Sequence, residues 1–309
     1  MKHFSFSPTP VEYLPYFSDK YGVELYVKRD DLFPSALGGS KSRMLQYVLY
    51  PLVQKGIKTI VTAGGPCSNF NRAIALLCAK YGFKLKLISY TDNLEEYKTS
   101  LNNYLVNLTG CEYIYCKKTE VSQTIGKVMN ESDDLTYFIY GGGKSLAGFY
   151  AYYEAVEELS MQLDKVDDLF VACGTGTTLT GICAGMQRYF PETVVHAISI
   201  ARNYELEFPV LTENMNQLNS FLGTNYDFSN LRFYDKYISG GYGETCVELL
   251  AVIRECISCE GMVLDPTYVG KAFYGMTSVL STGKYIGKKI LFWNTGGLIN
   301  LLSQKDLFA

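Results

Sequence analysis

Short runs of apolar and β-branched residues alternate along the chain with longer stretches whose apolar positions recur at helical spacing. The short runs fit buried strands, and the longer stretches fit helices with one face on a core. Strands are therefore expected at 25–28, 59–63, 85–90, 112–115, 137–139, 169–173, 194–200, 262–264 and 289–293. Helices are expected at 42–55, 69–81, 93–108, 121–129, 145–163, 178–189, 244–260 and 270–281, and the polar segment 203–230 reads as a helix plus a surface loop. Such alternation predicts an α/β protein with largely parallel sheet. Nine strands in 309 residues point to two sheets, and no internal repeat or low-complexity linker interrupts them.

Glycine-rich breaks divide this pattern. Gly38-Gly39-Ser40-Lys41-Ser42-Arg43 and Gly141-Gly142-Gly143-Lys144-Ser145 bracket a region that reads as an inserted small α/β domain, 45–150. Residues 1–44 and 151–309 then form the large domain, with a cleft lined by strand C-termini, where α/β folds take ligands.

A third break carries chemistry. Gly174-Thr175-Gly176-Thr177-Thr178 follows one apolar run and opens another, so a strand turns on two glycines into a helix. Backbone N–H groups, hydroxyls and the positive end of the helix dipole converge there, which makes a phosphate cup. No P-loop lysine follows, so the phosphate belongs to a held cofactor and not to a nucleotide being cleaved. A dinucleotide fingerprint is also missing, because Leu179 stands where its third glycine belongs. A lone lysine in a glycine-flanked loop, Lys41, together with a distant phosphate cup is what pyridoxal 5'-phosphate requires. The lysine forms a Schiff base with the aldehyde, and the cup holds the far end of the ring.

Composition narrows the remaining classes. With 48% hydrophobic and 19% charged residues, the chain reads as an ordinary globular protein, and a net charge of −3 without a basic block argues against nucleic acid as partner. The N-terminus lacks the apolar core of a signal peptide, and no stretch is long and apolar enough to span a membrane. Nine cysteines, mostly within apolar stretches, fit reduced thiols, so a cytoplasmic location is expected. Cys256 and Cys259 have metal spacing but read as packing residues, and no metal is expected. With only His3 and His196 available, and the latter inside an apolar run, triad chemistry is poorly supported. Proton transfer falls to lysine, tyrosine or carboxylate, and 26 tyrosines make the phenol abundant.

Further motifs occur in a fixed order: Lys28-Arg29-Asp30-Asp31-Leu32, the Lys41 loop, Ser68-Asn69-Phe70-Asn71-Arg72, Gly174 to Thr178, Tyr242-Gly243, Leu264-Asp265-Pro266-Thr267-Tyr268-Val269-Gly270-Lys271 and Thr295-Gly296-Gly297. In these the chain resembles the fold-type-II (tryptophan synthase β-like) pyridoxal phosphate enzymes, and within them the 1-aminocyclopropane-1-carboxylate deaminase / D-cysteine desulfhydrase family. The resemblance implies two domains, each a largely parallel sheet flanked by helices, and a homodimer. It implies Lys41 as the Schiff-base lysine, Gly174, Thr175, Gly176, Thr177 and Thr178 at the phosphate, and Asn69 on the ring hydroxyl. Ser68 would contact the substrate carboxylate or relay a proton. Tyr242 and Tyr268 would be the phenols near the substrate, beside Phe70.

The implied activity is Cα deprotonation of a small amino acid followed by β-elimination, or by β-replacement. Ring opening of a strained cyclic amino acid, or cofactor binding without turnover, are the alternatives. Three positions depart from the family pattern. Phe70 stands where desulfhydrases typically carry His and deaminases Gln, and Cys67 replaces a usual Gln. Val269 takes the place of a Thr or Glu that faces the pyridine nitrogen, where Thr295 would be a neutral substitute. These departures surround the substrate and spare the phosphate cup, so the substrate is expected to differ from those of both named enzymes.

Overall fold

The computed structural model describes residues 1–308. The chain lays down β1 (Val11–Tyr13) and β2 (Glu24–Arg29), then leaves to build β3 (Thr59–Gly64), β4 (Lys84–Tyr90), β5 (Glu112–Cys116) and β6 (Thr136–Ile139). It returns for β7 (Asp168–Cys173), β8 (Val194–Ser199), β9 (Leu231–Tyr234) and β10 (Lys289–Asn294). The excursion forms a four-stranded sheet ordered β5-β4-β3-β6, and the rest a six-stranded sheet ordered β1-β2-β10-β7-β8-β9. All pairings are parallel except β1 against β2. Among the described residues twelve α-helices flank these sheets: α1 (Pro15–Tyr21), α2 (Ser40–Gln54), α3 (Asn69–Tyr81), α4 (Glu96–Thr99), α5 (Leu101–Leu108), α6 (Val121–Asn130), α7 (Leu146–Ser160), α8 (Thr177–Tyr189), α9 (Tyr204–Leu222), α10 (Val247–Glu260), α11 (Val269–Leu280) and α12 (Leu298–Ser303).

Parallel strands covered on both faces read as continuous apolar runs, and the cores show why. On one face of the large sheet Leu169, Val171, Leu291 and Trp293 pack with Phe149, Tyr152 and Ile182 of α7 and α8. On the other, Leu25, Phe170 and Phe292 meet Ile253 of α10 and Phe273 of α11. The small sheet has its own core, in which Ile60 and Leu87 pack against α2 and α3.

Two expectations are corrected. Residues 262–264 form no strand: Met262 and Leu264 are buried in the core, but β1 and β9 already occupy the two edges of the large sheet. The expected helix 93–108 is two, α4 and α5, broken at Ser100. There the backbone turns extended (ψ 116°), the Ser100 hydroxyl donates to the Pro66 carbonyl at 2.9 Å, and its oxygen caps α5. The segment 203–230 does hold a helix and then a loop, while β1, β9, α1 and α12 were not anticipated.

The Lys28 to Asp31 motif explains how α2 is held. Lys28, Asp30 and Arg43 are fully buried together. The Arg43 guanidinium lies 2.8 Å from Asp30 and 2.8 Å from Glu158, and the second Asp30 oxygen accepts from Tyr152 (2.7 Å) and Trp293 (3.0 Å). Lys28 donates to Glu158, to the Thr9 carbonyl and to Gln162. Burying ions is costly unless their charges are compensated, and in this cluster each ion is paired and hydrogen-bonded.

Candidate active site

One cavity of about 770 Å³ opens at the C-terminal ends of β3, β4, β6, β7, β8 and β10, where both sheets point. Its wall contains Lys41, Ser68, Asn69, Phe70, Gly174, Thr175, Gly176, Thr177, Thr178, Tyr242, Tyr268 and Thr295, so the residues singled out in the sequence come together in space.

Lys41 is the second residue of α2. The helix is reached through Gly38 at φ +74°, where a Cβ would lie 2.0 Å from the Asp31 carbonyl oxygen, so only glycine fits. The Lys41 Nζ donates to the Gly142 carbonyl at 3.0 Å. Burial lowers its pKa from 10.5 to about 8, and among the described residues no carboxylate pairs with it. An amine so placed is unprotonated in appreciable fraction near neutrality and can act as nucleophile or base.

At the opposite wall the chain leaves β7 and enters α8 through Gly176 at φ +73°. A Cβ on Gly176 would lie 2.7 Å from Leu211 Cδ2 and 2.9 Å from Glu207 Oε1. The first-turn amides of α8 have no partner within the helix, no acid lies in that turn, and the hydroxyls of Thr175 and Thr177 sit 3.2 Å apart. Unpaired amides at a helix N-terminus suit an anion.

Ser68 caps α3, its hydroxyl oxygen accepting from the amides of Phe70 (3.2 Å) and Asn71 (3.3 Å), which leaves its proton free to donate. The Asn69 side-chain oxygen Oδ1 accepts from Arg72 (2.9 Å) and Asn102 (3.1 Å). Phe70 is only 2% exposed and belongs to the small-sheet core, so it offers the cavity an apolar floor and not a free side chain.

Tyr242 and Tyr268 are joined through their hydroxyls, with rings 5.8 Å apart and nearly perpendicular. Tyr242 is 55% exposed at the cavity mouth, but its hydroxyl meets that of Tyr268, and burial of that group raises its pKa to about 12. Burial and the neighbouring phenol raise that of Tyr268 well above 10. Both are neutral phenols at ordinary pH, suited to donating a proton rather than removing one.

Several contributors were not foreseen. Asp265 accepts the amides of Thr267 (3.1 Å), Tyr268 (3.0 Å) and Val269 (2.9 Å), which fixes the turn presenting Tyr268; burial, opposed by these bonds, still raises its pKa to about 7. Arg72 is 3% exposed, lines the cavity and has no carboxylate partner among the described residues, and burial lowers its pKa to about 10. A charge inside the apolar pattern of α3 was the available signal. Val269 is buried in the large-sheet core and does not line the cavity, so its expected place at a ring nitrogen has no support in this arrangement.

The donor set fits pyridoxal phosphate: a buried amine without an acid partner on one wall, and unpaired helix amides with two hydroxyls on the other. Comparison with known proteins agrees. A family profile described as "Pyridoxal-phosphate dependent enzyme" matches residues 4–296. A putative 1-aminocyclopropane-1-carboxylate deaminase of Thermotoga maritima is 31% identical over 97% of each chain. A D-cysteine desulfhydrase of Salmonella newport is 30% identical over 94% of this chain and 92% of its own. The crystal structure of an ACC deaminase homologue superposes with a TM-score of 0.89 at 30% identity, covering 99% of this chain and 94% of the other.

Proposed function

The chain belongs to the pyridoxal-phosphate dependent enzymes, and from that premise we propose that it removes the Cα proton of a small amino acid and expels a β-substituent, as a D-cysteine desulfhydrase-like lyase. The observation that carries this reading is the placement of the Lys41 amine, lowered to a pKa of about 8, in the same cavity as the neutral phenol pair Tyr242 and Tyr268. When bound, the cofactor supplies an aldehyde for covalent attachment and a ring that accepts the electrons left at Cα.

The protein's own groups divide the remaining work. The Gly174 to Thr178 turn would hold the phosphate, and Asn69 would contact the ring hydroxyl. Ser68, whose hydroxyl proton is free to donate, binds the substrate carboxylate. The Lys41 Nζ takes the Cα proton, and Tyr268 donates to the leaving group or the departing product. Thr295, just after β10, would be the neutral partner of the ring nitrogen.

The division into a small domain, 45–150, inserted in a large one belongs to the same reading, supported by the confinement of β3 to β6 to that span. So do a homodimeric state and a cytoplasmic location; the nine free cysteines support a reducing compartment. No helix among the described residues is long and apolar enough to cross a membrane.

A panel of D- and L-amino acids, including D-cysteine and 1-aminocyclopropane-1-carboxylate, tests the proposal by release of keto acid, ammonia and sulfide. Sulfide with keto acid supports elimination; spectral shifts without any product would overturn it. The phenol pair also fits ring opening as the second reading, because a carbon freed from a strained ring, like a leaving group, takes up a proton.

A further inference from the structure

Lys271 is fully buried on the first turn of α11, and nothing above uses it. Its Nζ donates to the carbonyl oxygens of Ile238 and Gly241, each at 2.6 Å, and lies 3.5 Å from that of Ile200. Among the described residues no carboxylate forms an ion pair with it. Burial pulls its pKa down from 10.5, while Glu244 and Asp265, at longer range, favour the charge. Convergent carbonyl dipoles without an anion are the surroundings of a monovalent cation stripped of water.

The three carbonyls belong to two segments that each reach the cavity, through Ile200 in one and Tyr242 in the other. Ile238 and Gly241 lie in the loop that carries Tyr242, and Ile200 follows β8 and lines the cavity beside Gly174. Lys271 itself stands three residues after Tyr268. The Tyr242 loop has few clamps of its own: Ser239, Gly240, Gly241 and Gly243 all take positive φ, and its backbone bonds, Gly241 to Ile238 and Glu244 to Gly241, are both long at 3.3 Å. A glycine-rich loop loses much entropy on ordering and needs an external tie.

We propose that the Lys271 ammonium is a built-in cation, a positioning residue that ties the Tyr242 loop to the helix bearing Tyr268 and so sets the phenol pair. A cage of carbonyls emptied by truncation then accepts a small external cation. The functional part of this inference rests on the reading that the two phenols serve the reaction.

The experiment compares holoenzyme of wild type, Lys271→Ala and Lys271→Met by amide hydrogen exchange and by turnover, with and without methylammonium chloride. Lys271→Ala keeps the cofactor colour, exchanges faster at 238–243 with α8 unchanged, and loses roughly 100-fold in kcat, as small misplacements of reacting groups do. Methylammonium restores both, and tetramethylammonium, too large for the cage, restores neither. Lys271→Met loosens the same loop but is not rescued, because its stem fills the cage. If Lys271→Ala does not fold, Lys271→Met decides alone by the exchange at 238–243. Unchanged loop exchange in the variants, failure of methylammonium to restore it in Lys271→Ala, or equal rescue of Lys271→Met overturns the proposal. Loop exchange restored without restored rate would instead sink the phenol reading and leave the cation role standing.

Discussion

The Lys41 amine donates to the Gly142 carbonyl at 3.0 Å, joining the first turn of α2 to the segment that follows β6. A carbonyl holds the amine in place without stabilising its charge as a carboxylate would, and burial then lowers its pKa to about 8. Attachment of pyridoxal phosphate to the apoprotein needs the unprotonated amine. Its rate is expected to rise roughly tenfold per pH unit below about pH 8 and to level off above it. Stopped-flow absorbance checks this, and a profile still rising at full slope beyond pH 10 would match an ordinary exposed lysine instead.

Tyr268→Phe removes a hydroxyl that meets Tyr242 and leaves the phosphate cup untouched. The variant is expected to bind cofactor and keep its colour while kcat falls on the order of 100-fold, the usual loss when a positioned proton donor is removed. An unchanged rate in steady-state assays would reduce Tyr268 to packing.

Asp30→Asn leaves Glu158 as the Arg43 guanidinium's remaining carboxylate partner and, in either orientation, turns an amide donor toward donors, Arg43 and Thr9 on one side or Tyr152 and Trp293 on the other. Breaking a buried pair costs about 3–5 kcal/mol, so the denaturant midpoint should fall sharply and the α2 segment bearing Lys41 should loosen. A loss of less than about 1 kcal/mol would mean that the cluster contributes no more than a surface ion pair.

His196 is buried between Asp168, 2.8 Å from Nε2, and the Tyr234 hydroxyl, 3.0 Å from Nδ1. The tautomer protonated at Nε2 satisfies both partners. Burial holds its pKa below 6.5, so the unfolded chain takes up this proton first and stability declines as pH falls below about 6.5. Burial would raise the Asp168 pKa, but the bonds from His196 and Lys288 outweigh it and lower it; that stability is lost only as pH falls below about 3.9. The melting temperature should therefore drop between about pH 7 and pH 5, and His196→Gln should flatten that slope while lowering stability at neutral pH. An equal slope in the variant would assign the acid sensitivity to other groups.

Much of this architecture was legible because its signals are local. The limits of α3 were readable from Ser68 as cap, an unbroken helical period and Gly82 in the left-handed conformation that ends it. The parallel strands announce themselves because both faces are covered. What escaped is set by neighbours at long range. The three residues of β1 and the four of β9 are held by the strands beside them, not by any pattern of their own. Ser100 breaks a helical period through a bond to Pro66, 34 residues earlier. In the cavity, the glycine-flanked segments around Lys41 and Gly176 were readable, since turns advertise their backbone needs. Gly142 contributes only a carbonyl, and Lys271 reaches carbonyls about 30 residues away, so side-chain chemistry in the sequence gave no hint of either.

The central claim is that the cofactor is carried on the amine of Lys41. Borohydride reduction of the holoenzyme followed by peptide mass mapping tests it most directly. The account predicts one added cofactor mass per chain, on the peptide containing Lys41 and absent in Lys41→Ala. Label on another lysine, or none on a protein that remains yellow before reduction, would contradict it.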